Sequence, residues 1–225
     1  MPTTAAVNPL HPPTLISSIL KTVEDRIIPL TQRGVSSGSK VFGAAILSRT
    51  DFLPITVATN NERISPLLHG EIACIQQFFT VNYPDATTRP DPRKDCIFFA
   101  THEPCSLCLS GITWSGFSEF YYLFTYEDSR DVFEIPYDIE ILEEVFRVRT
   151  QSESEIEMKR RALYNRTNKF FTATSVGELV EEIEDVEERK KWMGEVTRVK
   201  SLYSTLSETY QDRKKTGEIS SSVWK

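Results

Sequence analysis

Three short apolar runs constrain this chain more than anything else in it: "VFGAAIL" at 41–47, "CIFFATH" at 96–102 and "EFYYLFTY" at 119–126. Each is bounded by turn-forming or charged residues, and each reads as a strand. "PITVATN" at 54–60 reads as another, joined to the first by a turn around Asp51 to make a hairpin. The segments between them carry apolar residues at helical spacing. Leu15, Ile16, Ile19, Leu20, Val23 and Ile27 form one such stripe, with Thr14 as its N-cap and Pro29 and Gly34 as its end. "HGEIACIQQFFTV" from near Leu68, "CSLCLSGITWSG" closed by Gly116, and "DIEILEEVFRVR" give three more helices. Strand–helix–strand alternation implies parallel pairing and helices packed on a sheet. The expected fold class is therefore α/β, a three-layer α/β/α domain with a central sheet of about five strands. Ligands in such folds sit beyond the C-terminal ends of strands, where the next helices begin.

A chain of 225 residues has room for one such domain and an appendage. Residues 1–13, rich in Pro, Thr and Ala, read as a flexible N-terminal tail, and 14–150 as the domain. After Thr150 the sequence turns charge-dense, yet Val176, Leu179, Val180, Ile183, Trp192, Val196, Val199, Leu202 and Leu206 keep a helical apolar stripe. Residues 151–225 read as a helical C-terminal extension packed on the body, with a dimer contact or a substrate lid as the sharper options.

The formal charge of −6 argues against a broad basic face for nucleic acid, while leaving room for a local basic patch. No apolar run reaches the roughly 18–20 residues that span a bilayer. The first residues lack the pattern of a signal peptide, so a cytoplasmic protein with reduced thiols is expected. Four cysteines are too few for a disulfide scaffold in a chain this long, which makes a Cys-x-x-Cys a metal or redox candidate.

That pair is Cys105 and Cys108, behind Pro104 and at the start of a predicted helix. Three residues apart, they share a helix face, and the first turn favours thiolates. His69, at the start of another predicted helix, supplies a neutral third ligand. Two thiolates and one imidazole suit zinc and leave the fourth tetrahedral position open for water, the mark of a catalytic site. Glu71, two residues after His69, stands close without binding and can carry the proton from water to a leaving group. Together these residues match H-x-E…P-C-x-x-C, the zinc-deaminase signature.

With those residues in view, the chain resembles the cytidine and deoxycytidylate deaminase superfamily over about Phe42 to Phe146. "VFGAAIL" is similar to the family's "PFGA" strand, with Val41 where Pro is usual. "HGEI" has the Gly variant seen in fungal cytosine deaminases. "THEPCSLCLSGITW" resembles a run shared by tRNA adenosine deaminases and guanine deaminases, and Trp114 with "SRDVFEIPYDIEIL" looks closest to guanine deaminases. The resemblance implies a cytidine deaminase-like fold and hydrolytic loss of an exocyclic amine as ammonia. It assigns His69, Cys105 and Cys108 to Zn²⁺ and Glu71 to proton transfer. It also implies a base-binding Asn before the histidine, for which Asn60 or Asn61 serves, although the gap to His69 is short.

Phe42 and Trp114 are candidates for stacking on a planar base. Cys74 and Cys96 read as small core residues, His102 as a satisfied histidine, and Glu103 as a brace for backbone N–H groups. The expected substrate is a small nucleobase, nucleoside or nucleotide, of guanine or cytosine type, acted on by a homodimer. Rival readings are a tRNA adenosine deaminase and a non-catalytic zinc-stabilised subunit. A zinc ribbon would want a second Cys-x-x-Cys, and none exists.

Overall fold

The computed structural model describes residues 11–216. Helix α1, Pro12–Thr22, begins with proline at its first two positions, where a missing N–H costs nothing. It therefore starts ahead of Thr14, which lies inside it. His11 takes the N-cap position, with its Nδ1 3.0 Å from the Thr14 hydroxyl. Residues 1–10 of the expected tail and residues 217–225 lie outside the described part.

Pro29 does not end this helix. A widened turn, Val23–Ile27, follows α1, and the Ile28 N–H reaches back five residues to the Val23 carbonyl. The wider turn makes room for the proline ring and for its absent donor. Helix α2, Ile28–Val35, then continues to the turn at Gly38, whose φ of 88° suits glycine.

Strands β1, Gly43–Ser48, and β2, Pro54–Thr59, form the expected hairpin around Asp51. Helix α3, Gly70–Gln77, runs into a wide turn at Phe78–Asn82. Strand β3, Cys96–His102, is buried along its whole length. Helix α4, Ser106–Trp114, stops before Gly116, and strand β4 follows at Glu119–Phe124. Two short helices come next, α5 at Tyr126–Asp131 and α6 at Tyr137–Ile141. Beyond them lie α7, Glu155–Arg160, strand β5, Thr172–Ser175, and helices α8, Val176–Glu181, α9, Val186–Ser201, and α10, Ser204–Thr216.

The sheet has five strands in the order β2-β1-β3-β4-β5. It is mixed: β1 is antiparallel to both β2 and β3, while β3, β4 and β5 are mutually parallel. Side chains alternate between two cores, as the strand period of two demands. Ala45, Leu47, Ile97, Phe99, Tyr121 and Leu123 face one core, with Leu15, Ile16 and Ile19 of α1 and Val176, Leu179 and Val199 of the C-terminal helices. Ala44, Ile46, Phe98, Ala100, Phe120 and Tyr122 face the other, with Cys74 and Ile75 of α3 and Leu109 and Ile112 of α4. The result is the three-layer α/β/α arrangement. The described segment after residue 150 holds helices α7 to α10, irregular chain at 161–171, and β5, which completes the sheet. Among the described residues no helix is long and apolar enough to cross a membrane.

One consequence of the strand directions positions the site. Because β1 opposes both neighbours, β2 and β3 point the same way. Their C-terminal ends therefore sit on either side of the start of β1. β2 leads to the start of α3, and β3 leads to the start of α4.

Candidate metal centre

His69 is the N-cap of α3 and Cys105 the N-cap of α4, both in extended backbone conformation. Neither side chain caps its helix, so both are free for another partner. Cys108 lies in the first turn of α4. The His69 Nδ1 is 3.4 Å from the Cys105 Sγ and 3.6 Å from the Cys108 Sγ. The three ligand atoms all lie within 4.8 Å of one another. A tetrahedral zinc, with Zn–S about 2.3 Å and Zn–N about 2.0–2.1 Å, holds nitrogen and sulfur about 3.6 Å apart. The side chains present thus fit the ion, with Nδ1 as the imidazole ligand atom.

The approach of α3 to the sheet depends on Gly70. A Cβ there would sit 2.8 Å from the Gly43 Cα and 3.1 Å from the Phe42 carbonyl oxygen. Both contacts are backbone and cannot yield, so the "HGE" spelling follows from packing. Pro104 is fixed from behind by the Tyr126 hydroxyl, which donates to its carbonyl at 2.5 Å.

Charge is distributed unevenly over the ligands. The Cys108 thiol hydrogen-bonds Cys105 and holds it well below the usual thiol range, as a thiolate, with His69 assisting against burial. Burial and that thiolate push Cys108 far up. Burial opposes charge on His69, but its bond to Cys105 prevails and lifts the imidazole to about 9. Without metal, therefore, His69 and Cys108 carry protons at neutral pH, and both must leave for zinc to bind. Zinc affinity is expected to rise with pH, because these protons must be displaced. Competition against a colorimetric chelator at pH 6, 7 and 8 checks this, and a flat profile would contradict the ligand set.

Glu71 is 4% exposed, and its Oε2 has no hydrogen-bond partner among the described residues. Burial, reinforced by the Cys105 thiolate, pushes its carboxyl up to about 7, against the pull of His69. Asn60 is also buried. Its Oδ1 accepts from the Gly70 N–H at 2.6 Å, and its Nδ2 has no partner among the described residues. Asn60 is thus tied to the start of α3, whereas Asn61 is exposed and bonds through its backbone, its N–H to Leu68 and its carbonyl to Ile64 and Ser65.

The two aromatic candidates part company. Phe42 is buried, with its ring centroid 4.2 Å from that of His102. Trp114 is 90% exposed at the far end of α4, about 13 Å of helix from Cys105. His102 is buried among Phe42, Phe124 and Phe133, bonds the Thr101 hydroxyl through Nδ1 at 3.0 Å, and is kept neutral by burial. The Glu103 carboxylate accepts from the Tyr126 N–H and the Tyr164 hydroxyl.

One residue beside the site escaped the sequence reading. Asp138, in α6, is 9% exposed, and burial followed by the Cys105 charge pushes its carboxyl up to about 8. It lies within electrostatic reach of Cys105, His69 and Glu71. The signal was present as an acid set between Tyr137 and Ile139 in "IPYDIEI".

This geometry can be set beside known proteins. The family model described as "Cytidine and deoxycytidylate deaminase zinc-binding region" matches residues 20–124. Over those residues the chain is similar to such a zinc-binding region. The match spans β1 to β4 and holds all three ligands and Glu71, so zinc is the metal of this set. No curated protein matches the chain significantly. Among solved structures, a guanine deaminase from Bacillus subtilis is 24% identical, covering 66% of this chain and 86% of its own, with a TM-score of 0.45. A guanine deaminase from Nitrosomonas europaea is 15% identical, covering 89% and 98%, with a TM-score of 0.43. A structure from a study of tRNA:A34 deaminases is 20% identical, covering 45% and 77%, with a TM-score of 0.34.

Proposed function

We propose that this protein is a zinc-dependent hydrolase that removes an exocyclic amine, as ammonia, from a nucleobase, nucleoside or nucleotide. The observation that carries the proposal is the buried Glu71 carboxyl, with one oxygen unpartnered, two residues from a ligand of a His/Cys/Cys set. Zinc in that set supplies Lewis acidity and lowers the pKa of water at its open position.

The chain's own residues do the rest. Glu71 takes a proton from water and delivers it to the departing amine, so that water and the amino-substituted ring give the oxo ring and ammonia. Asn60, its oxygen committed to Gly70, offers N–H donors to a ring oxygen or nitrogen. Asp138 offers a carboxyl to ring N–H groups. Guanine- and cytosine-type rings both carry acceptors and a ring N–H, and the likeness of "SRDVFEIPYDIEIL" to guanine deaminases favours the guanine type. The exposed Trp114 and Leu107 share the outer face of α4, an apolar stripe that pairing of two copies in a homodimer would cover. A cytoplasmic setting agrees with four free cysteines.

An ammonia-release screen of the zinc-loaded protein over free bases, nucleosides, nucleotides and tRNA tests the proposal. Turnover of a guanine-type compound is expected. Release from tRNA alone would move the assignment to adenosine in RNA, and zinc binding with no ammonia from any compound would make the chain a non-catalytic subunit.

A further inference from the structure

A cavity of about 450 Å³ opens between α5, α6 and residues 159–166, and none of His69, Glu71, Cys105 or Cys108 lines it. Six cationic side chains do: Arg130, Arg147, Lys159, Arg160, Arg161 and Arg166. Only three carboxylates join them, Glu103, Glu127 and Glu143. This concentration of positive charge is unexpected in a chain of net charge −6.

Four of the guanidinium groups already have partners: Arg130 with Asp131, Arg147 with Glu143, Arg161 with Glu153 and Arg166 with Glu178. Of those carboxylates only Glu143 lines the cavity. Glu103 is occupied by the Tyr164 hydroxyl and the Tyr126 N–H. Lys159 and Arg160, exposed in the last turn of α7, have no ion-pair partner among the described residues.

Two of the arginines keep part of their charged group buried. The Nε atoms of Arg147 and Arg166 are buried and have no hydrogen-bond partner among the described residues, and both residues line this cavity. The Arg147 side chain is only 7% exposed. Those two Nε atoms have no exposed surface, so an anion would reach Arg147 and Arg166 through their Nη groups.

We propose that this cavity binds a small phosphate-bearing anion of nucleotide size, captured by Lys159 and Arg160 and bonded by Arg147 and Arg166, separately from the metal centre. The volume falls within the roughly 300–1,000 Å³ of small-ligand sites. A long polyanion would meet the acidic remainder of the surface, whereas a cavity-sized one meets mainly the local cations.

Calorimetric titration of the zinc-loaded full chain with GTP, ATP, inorganic triphosphate and guanosine tests this. The triphosphates are expected to bind saturably, and more weakly as salt is raised. Lys159→Ala/Arg160→Ala, which alters only exposed side chains, is expected to weaken them about tenfold or more, and Arg147→Gln to weaken them as well. Equal binding of inorganic triphosphate and nucleotides supports recognition of phosphate alone. Tighter nucleotides support a base seated in the same cavity. The zinc-free Cys108→Ala chain should bind them as wild type does, and loss there would place the ligand at the metal and overturn the proposal. Absence of saturable binding, indifference to both sets of substitutions, or tighter capture of an RNA oligomer than of any triphosphate would also overturn it.

Discussion

Glu71→Gln is expected to lower turnover by roughly 10²- to 10⁴-fold while the protein keeps one zinc per chain. Gln matches Glu in shape but cannot accept and return a proton. Glu71 is not a ligand atom source in the His69, Cys105 and Cys108 set, so the metal should stay. KM should change little beside kcat, because the missing contribution is to the chemical step. A structural side effect has a definite sign. The carboxyl is raised from 4.5 to about 7 in the folded chain, so the native state binds the proton more tightly than the unfolded one. Its contribution to stability therefore falls as pH climbs through that window. The metal-free Gln variant should show a flatter unfolding temperature between pH 5 and 7 than the parent. Unchanged turnover with zinc bound would remove Glu71 from the mechanism.

Cys108→Ala is expected to abolish zinc retention, and turnover with it. The sulfur is fully buried in the first turn of α4, and no other described side chain stands ready to replace it. Loss of an outer-shell support costs a metal site roughly 10- to 100-fold in affinity, and loss of a ligand costs more. Ions that bind only the native state raise its unfolding temperature, so added zinc should stabilise the parent and leave the variant unmoved. Cys74→Ala is the matched control. Cys74 is equally buried, but its thiol is engaged with the Thr56 carbonyl at 3.7 Å, and that variant should keep its zinc.

The parts of this architecture written in local sequence were legible. "CIFFATH" is buried on both faces because helices cover both sides of β3, and an unbroken apolar run is the trace of that. His69, Glu71, Cys105 and Cys108 could be read because metal ligation fixes residue type and spacing together. What depended on long-range packing could not be read. The helix passes Pro29 because a wide turn absorbs it, which no propensity signals. β5 is a four-residue edge strand, "TATS", too short and too polar to stand out before β4 is in place. α5 did leave a trace, the capping box of Thr125 and Asp128, hidden at the end of an aromatic run. Asp138 comes within electrostatic reach of the metal set through tertiary folding alone. Trp114, read as a ring-stacking candidate, is carried away from the metal by the length of its own helix.

The central claim is a zinc ion held by one imidazole and two thiolates with one position left for water. X-ray absorption at the zinc edge of the loaded protein addresses it directly. Two sulfurs at about 2.3 Å and two nitrogen or oxygen neighbours at about 2.0–2.1 Å are the predicted shell. A shell of four sulfurs, a shell with none, or a chain that takes up no zinc would contradict it.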